Sequence, residues 1–251
     1  MNETAAILLR AFLAFALAVG GGALSALLGL SHHRLCALIS FAAGTLLGVT
    51  LFAVLPEGWH AATWWQVALA LASGYLVFFL ISKYVHHVCP ACAASHFDED
   101  TTHRFSEIAT ALIIALAIHS TSDGLALAAG HEAREALDWS ILVAVCVHKI
   151  PEGLALGALL LGAGFRRAAS VGWVALAEST TLLGGALGVF LLRDISPLWT
   201  ALVLAHVGGG FLYLAAHAVL GEMLKHGKGL VLACFGGGLI LIGTISLALR
   251  H

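Results

Sequence analysis

The stretch HSTSDGLAL at residues 119–127 is followed by a second version of itself, HKIPEGLAL, at residues 148–156. Each copy places a histidine and a carboxylate four positions apart, so both side chains lie on one face of a helix. Each copy also lies inside a long apolar run, where an ionisable side chain is costly unless it is paired, metal-bound or wetted. The repeat therefore predicts two membrane helices that carry polar groups into the bilayer.

The composition supports the same class of protein. The chain has 251 residues, of which 60% are hydrophobic and 10% are charged, and its mean hydropathy is +0.97. A soluble domain carries about 25% charged residues. We therefore expect an all-α integral membrane protein, embedded in lipid as a single polytopic domain over residues 1–251. The net charge of −2 and the lack of a basic tract argue against a nucleic-acid partner.

About eight apolar runs approach the length of about 20 residues that a spanning helix needs. An even number of spans puts both termini on the same side of the membrane. The first run is too long for a cleaved signal peptide, so we expect it to be the first spanning helix. The runs lie at 5–30, 35–55, 62–83, 106–130, 140–162, 168–192, 198–221 and 228–249.

The distribution of basic residues predicts the orientation of these helices. The loops after the odd-numbered helices hold seven Lys and Arg residues, and the opposite side holds four. The positive-inside rule then places both termini outside the cell membrane and the loop at 84–105 in the cytoplasm. This loop is either a metal-binding relay or a solvated linker, and its lone Cys-x-x-Cys is a weak signal. Its candidate ligands are His86, His87, Cys89, Cys92, His96 and His103.

The two motifs together favour a divalent-metal site formed by His119, Asp123, His148 and Glu152. The two helices are joined by a short loop, so we expect them to be antiparallel neighbours. A hydrogen-bonded packing network is the alternative, but four such groups are an unusual structural choice in lipid. Imidazole and carboxylate ligands suit zinc, iron, manganese, cobalt or cadmium and do not select sharply among them.

The paired motifs, the Pro-Glu-Gly of the second copy and the histidine-bearing loop between the third and fourth of about eight helices resemble the ZIP (Zrt/Irt-like) family of divalent-metal transporters. The resemblance implies a carrier, not an enzyme, that moves metal into the cytoplasm and needs no organic cofactor. The expected substrate is Zn²⁺, with Cd²⁺, Fe²⁺, Mn²⁺ and Co²⁺ as alternatives. It also implies a homodimer in which helices one, four, five and six move past a scaffold of helices two, three, seven and eight.

The resemblance assigns further residues to a second metal position. Ser120 stands where the family usually has asparagine, and Glu178 in the sixth helix matches an acidic ligand of the second ion. Lys149 departs from the pattern, because two-metal members carry an acidic residue there. We therefore expect a single metal site in which the charge of Lys149 replaces the second ion, unless this side chain rotates out of the cluster.

Four more residues are candidates for the path of the ion. Glu57 matches a family segment near the entrance, although an acid at a helix end is often simply solvated. His217 matches a family position on the exit route, and His206 lies on the same face of the seventh helix, about three turns away. Glu222 ends that helix on the predicted cytoplasmic side.

Two other functions would use similar residues. An exporter of the cation-diffusion type would be expected to have about six helices and aspartate-rich motifs. An intramembrane zinc hydrolase would use the ligands to activate water, but His-Glu-x-x-His is absent from the sequence. The sequence also contains no Gly-x-x-x-x-Gly-Lys-[Ser/Thr] motif for ATP, so we expect a secondary carrier.

Overall fold

The computed structural model describes residues 2–28, 32–85, 102–133, 135–193, 195–225 and 228–249, and the regular structure in these residues is helical. Eight stretches of the described chain are long and apolar enough to cross a membrane, which confirms the predicted fold class. The helices are α1 Glu3–Leu28, α2 His32–Val49, α3 Leu55–Ala61, α4 Trp64–Val85, α5 Thr102–His131, α6 Glu135–Gly162, α7 Arg167–Glu178, α8 Thr180–Leu191, α9 Pro197–Lys225 and α10 Lys228–Ala248.

Helices that belong to one crossing are grouped below as spans. Span 2 consists of α2, a π-helical turn and α3, and span 6 consists of α7 and α8. Spans 1, 3, 4, 5, 7 and 8 are α1, α4, α5, α6, α9 and α10. Because the eight spans of the described chain alternate in direction, Glu3 at the start of span 1 and Ala248 at the end of span 8 lie at the same end of the bundle, which we call the termini side.

Span 2 is longer than the sequence predicts. We expected it to end at residue 55 with Pro56 at its edge, but the helix continues to Ala61. A proline ring inside a regular helix collides with the carbonyl four residues earlier. The π-helical turn at Thr50–Val54 lies directly before this position and widens the helix there. The chain can therefore pass through Pro56 without leaving the helix.

Span 6 is interrupted, whereas the sequence predicts one helix over 168–192. Its first helix ends at Glu178, and the second begins at Thr180. The Ser179 hydroxyl donates to the Leu176 carbonyl at 2.7 Å, and the Thr180 hydroxyl donates to the Ala177 carbonyl at 2.8 Å. Such bonds from serine and threonine to the preceding turn bend helices. The break thus follows from a Ser-Thr pair placed directly after an acidic residue.

Glycine contacts bind the spans in pairs. The most extensive helix contacts join span 1 to 5, span 4 to 6, span 3 to 7 and span 2 to 8. In the first pair, a Cβ added to Gly21 would lie 2.4 Å from the Ile150 oxygen, and one added to Gly153 would lie 1.9 Å from the Ala18 oxygen. The other three pairs show the same reciprocal contacts, made by Gly124 with Gly184, Gly74 with Gly209, and Gly44 with Gly238.

These contacts divide the described helices into two blocks. Spans 1, 4, 5 and 6 form what we call the motif block, and spans 2, 3, 7 and 8 form the companion block. The nearest atoms to each tightly packed glycine belong to its own block. Backbone-to-backbone approach of this kind is how small residues hold membrane helices together. Each block is therefore closely packed within itself, and no described glycine makes such an approach across the boundary between the blocks.

Exposed tryptophans mark one membrane surface. Tryptophan is enriched where the bilayer meets water. Five of the six tryptophans lie near span ends on the termini side of the bundle, and all five are exposed. They are Trp59, Trp64, Trp65, Trp139 and Trp199.

Candidate metal site

The four side chains of the paired motifs meet between spans 4 and 5. One ligand atom from each of His119, Asp123, His148 and Glu152 lies within 4.8 Å of the others, and all four residues are buried. The Asp123 carboxylate lies between the two rings, with Oδ2 at 3.2 Å from the His148 Nε2 and 3.5 Å from the His119 Nε2. We call these four residues the four-ligand group. It contains the mixture of imidazole nitrogen and carboxylate oxygen that divalent transition metals accept.

The His148 ring is oriented by the backbone of its own helix. Its Nδ1 lies 2.8 Å from the Ala144 carbonyl oxygen. A carbonyl only accepts, so Nδ1 must be the donor, and Nε2 is left facing the Asp123 carboxylate. Metal-binding histidines usually donate their second nitrogen to a carbonyl or carboxylate in this way, which fixes the ring and its tautomer.

Lys149 points into the cluster rather than away from it. Its side chain is completely buried, and Nζ lies 2.8 Å from a carboxylate oxygen of each of Asp123, Glu152 and Glu178. It also donates to the Ser120 hydroxyl at 2.7 Å. The alternative in which this side chain rotates out of the cluster is therefore wrong for this structure.

Span 6 contributes the third carboxylate through its interruption. Glu178 is the last residue of α7, and its Oε2 accepts a hydrogen bond from the Ser120 hydroxyl at 3.0 Å. The Thr180 hydroxyl, just beyond the break, also lies 2.7 Å from the Ala117 carbonyl oxygen of span 4, so the Ala117 and Ala177 carbonyls share its one proton. The break is thus anchored to span 4 beside the Ser120–Glu178 bond.

These seven residues, the four-ligand group with Ser120, Lys149 and Glu178, form what we call the central cluster. Its three carboxylates face one ammonium group, so with ionised carboxylates and neutral imidazoles the cluster has a formal charge of −2. Several of its buried polar atoms have no hydrogen-bond partner among the described residues. These atoms are His119 Nδ1, Asp123 Oδ1, Glu152 Oε1 and Glu178 Oε1, whereas Glu152 Oε2 contacts the Lys149 ammonium.

The companion block faces this cluster with aromatic rings. The Phe211 ring lies 6.0 Å from the His119 ring and 6.1 Å from the His148 ring, and the Phe78 ring lies 6.2 Å from that of His119. All three contacts are edge to face, and both phenylalanines are buried. The sequence did not reveal this contact, because aromatic residues are ordinary in membrane spans.

The other predicted site residues are not part of the four-ligand group. Glu57 is half-buried in α3 near the termini side. His206 lies 2.7 Å from the Ser73 hydroxyl and lines a groove of about 470 Å³ between spans 3 and 7, together with Trp65 and Trp199. The His217 ring stacks on the Tyr213 ring at 3.9 Å. The side chains of Glu222 and His103, and all of His86, His87, Cys89, Cys92 and His96, lie outside the described residues.

A second ionic cluster, which the sequence did not single out, lies on the termini side. Arg10 of span 1 forms an ion pair with Asp138 of span 5, and its Nη1 lies 2.9 Å from His131 Nδ1 at the end of span 4. The other Asp138 oxygen lies 3.3 Å from the same His131 nitrogen. We call these three residues the rim cluster. An aspartate one turn into an apolar span was the available signal for it.

Comparison with known proteins identifies the family. A family model described as a ZIP zinc transporter matches residues 90–249, which is well over half of the chain and includes the whole central cluster. No curated protein matches the chain.

Proposed function

The chain belongs to the ZIP zinc transporter family, and from this premise we propose that it carries Zn²⁺ into the cytoplasm through the four-ligand group. ZIP proteins transport divalent metals across membranes, so neither an exporter of the cation-diffusion type nor a hydrolase is needed to explain the site. Cd²⁺, Fe²⁺, Mn²⁺ and Co²⁺ share the ligand preferences of Zn²⁺ and are the alternative substrates.

The observation that carries the proposal is the match between the charge of the central cluster and that of its substrate. Four ligand atoms lie within 4.8 Å of one another, the number that a tetrahedral zinc site uses. One dication would neutralise the two excess negative charges of the cluster. The bond from His148 to the Ala144 carbonyl keeps its other nitrogen available as a ligand. A packing network would explain the burial but not the unbalanced charge.

The proposed stoichiometry is one ion per chain. The Lys149 ammonium lies within 2.8 Å of Glu178 and of two carboxylates of the four-ligand group. A second dication beside Glu178 would have to occupy the same space and be repelled by this charge. Lys149 thus stands in for the second ion, and Ser120 and Glu178 hold it there rather than binding metal.

The proposed transport movement is a displacement of the motif block past the companion block. It is supported by the glycine contacts, which hold spans together within each block and do not cross the boundary between the blocks among the described residues. All members of the four-ligand group belong to the motif block, so the site would move as one unit. We further propose a homodimer in the cell membrane with both termini outside, the orientation that the basic loop residues favour.

The test is metal uptake into proteoliposomes that contain a fluorescent metal indicator. The wild-type protein is compared with His119→Ala and Glu152→Ala, each of which removes one ligand, and with His60→Ala, which changes an exposed histidine outside the cluster. We expect Zn²⁺ uptake by the wild type and by His60→Ala and almost none by the two ligand variants. Parallel assays with Cd²⁺, Fe²⁺, Mn²⁺ and Co²⁺ rank the substrates.

Full uptake by both ligand variants would refute the assignment of the site. Efflux of preloaded metal without inward movement would instead favour an exporter. A protein that moves no metal in either direction but consumes a substrate would favour the hydrolase.

A further inference from the structure

The central cluster is asymmetric with respect to the two blocks. Every charged group and every candidate ligand in it comes from spans 4, 5 and 6 of the motif block. The companion block presents the rings of Phe78 and Phe211 to the two imidazoles. We call this pair of rings the aromatic wall. A carboxylate or amide at either position would have offered a further ligand, whereas a phenyl ring offers none.

Residues of the companion block hold the aromatic wall in place. A Cβ added to Gly210 would lie 2.6 Å from the Phe78 ring, so this glycine makes the notch in which the ring lies. The Phe78 ring also contacts the Tyr213 ring at 6.5 Å, and Tyr213 contacts Tyr75 at 5.2 Å. Phe78, Phe211 and Tyr213 are each no more than 4% exposed. The wall is therefore a packed part of the companion block, not a mobile side chain.

A wall of this kind restricts how many water molecules a bound ion can keep. Zn²⁺ is satisfied by four nitrogen and oxygen ligands, which the four-ligand group can supply alone. Mg²⁺ dehydrates reluctantly and keeps several waters, and Ca²⁺ takes six to eight oxygen ligands. With phenyl rings against both imidazoles, these harder ions can neither retain their water nor find replacement ligands on that side.

We propose that the aromatic wall of Phe78 and Phe211 is a specificity element, which excludes Mg²⁺ and Ca²⁺ by forcing the transported ion to shed its water. The proposal rests on the proposed metal site and adds residues from the opposite block to it. The rings touch the ligands rather than the ion, so they act by excluding water. Bulk and burial are the properties that matter, and leucine should replace phenylalanine at position 211 with little loss of selectivity.

The test uses Co²⁺ as a spectroscopic probe of purified wild-type protein, Phe211→Ala, Phe78→Ala and Phe211→Leu. Four-coordinate Co²⁺ absorbs visible light far more strongly than hydrated six-coordinate Co²⁺. We expect an intense spectrum for the wild type and Phe211→Leu, and a weakened spectrum for both alanine variants because water joins the ion. The matched control is Phe79→Ala, which removes the neighbouring ring on the exposed face of span 3.

The second readout is competition. We expect an excess of Mg²⁺ or Ca²⁺ to displace Co²⁺ from the two alanine variants at concentrations about tenfold lower than from the wild type, a change of roughly 1.4 kcal/mol in relative affinity. Unchanged spectra and unchanged competition in both alanine variants would overturn the proposal. If Phe211→Ala does not fold, Phe78→Ala tests the same wall through its contact with His119.

The two proposals fail in different ways. If wild-type protein binds no Co²⁺ and transports no metal, the metal site itself is wrong. If wild-type protein binds four-coordinate Co²⁺ and the alanine variants do so equally, the site stands and the aromatic wall has no role in selectivity.

Discussion

The central cluster and the rim cluster are built from similar parts but end with different charge balances. Each combines a basic side chain, histidine and aspartate where spans 4 and 5 meet a third span of the motif block. In the rim cluster, Arg10 and Asp138 cancel each other, and His131 contacts both. In the central cluster, one lysine faces three carboxylates, and four buried polar atoms lack a hydrogen-bond partner in the described structure.

The difference separates two uses of buried charge. A buried ion pair stabilises a fold little, but its loss is costly when one partner remains unpaired. In the rim cluster the charges of Arg10 and Asp138 balance without a metal, and the side chains are 11–20% exposed. Its ion pair and histidine contact connect span 1 to the turn between spans 4 and 5. The central cluster is almost completely buried, and with ionised carboxylates and neutral imidazoles its formal charge is −2. We therefore expect substitutions at the rim to affect stability and substitutions at the centre to affect metal binding.

The largest difference in Zn²⁺ affinity should come from replacing an aspartate by asparagine in one cluster and then in the other. Asp123→Asn removes a charge from the ligand that lies between His119 and His148, and we expect Zn²⁺ affinity to fall by about 100-fold or more, since even groups that only support ligands contribute about 10–100-fold. Asp138→Asn should leave affinity within about twofold, because well-separated sites behave independently. Isothermal titration calorimetry of the two variants measures both effects. Equal losses of affinity would remove the distinction between the clusters.

The charge of Lys149 provides the next test. Lys149→Glu changes the excess charge of the central cluster from −2 to −4 and puts an acidic ligand beside Glu178. We expect the number of tightly bound Zn²⁺ ions to rise from one to two per chain, measured by calorimetry and by metal analysis after gel filtration. Lys149→Gln is the control, and it should still bind one ion. Two equivalent tight ions in the wild-type protein would contradict the role given to Lys149.

Several of these features could be predicted from the sequence, and the reason is periodicity. Two residues four positions apart share a helix face whatever the surrounding structure is, so the approach of His119 to Asp123 and of His148 to Glu152 followed from spacing alone. The meeting of the two pairs followed from the short connection between their helices. The fold class followed from the length and apolarity of the spans, which are also properties of each local stretch of sequence.

Other features depend on tertiary contacts, and the sequence could not predict them. Lys149 follows His148 directly, which does not decide whether its long side chain turns inward or towards lipid. The rotation of span 5 against spans 4 and 6 decides this, because Ser120 of span 4 and Glu178 of span 6 contact the ammonium group. Phe211 faces the imidazoles only because span 7 packs against span 4 across the block boundary. The helix break after Glu178 had a local signal in Ser179 and Thr180, but many helices contain such pairs without breaking.

A smaller loss of affinity is expected when the carboxylate on the far side of Lys149 is neutralised. Glu178→Gln lowers the excess negative charge to one and removes one of the three anions around the ammonium group. Lys149 then binds Asp123 and Glu152 more strongly and competes with the metal, so we expect about tenfold weaker Zn²⁺ binding, the lower end of the effect of a supporting residue. Glu132→Gln, at an exposed position after span 4, controls for the loss of a carboxylate. Unchanged affinity in Glu178→Gln would show that the charge of the central cluster does not set metal binding.

The smallest effect on function, and the one that tests the rim, comes from Arg10→Gln. Removing the guanidinium leaves His131 as the partner of Asp138 among the described residues, and we expect the free energy of unfolding to fall by about 1–3 kcal/mol, the usual cost of leaving a buried hydrogen-bonding group without its partner. Arg10 also lies 5.7 Å from the centre of the Trp139 ring, and losing this cation–π contact adds to the cost. Thermal unfolding of purified protein measures the loss, with Arg167→Gln at the exposed start of α7 as the control. Zn²⁺ affinity should be unchanged within error. A variant that keeps its stability and loses its metal would mean that the rim cluster, despite its balanced charge, takes part in binding.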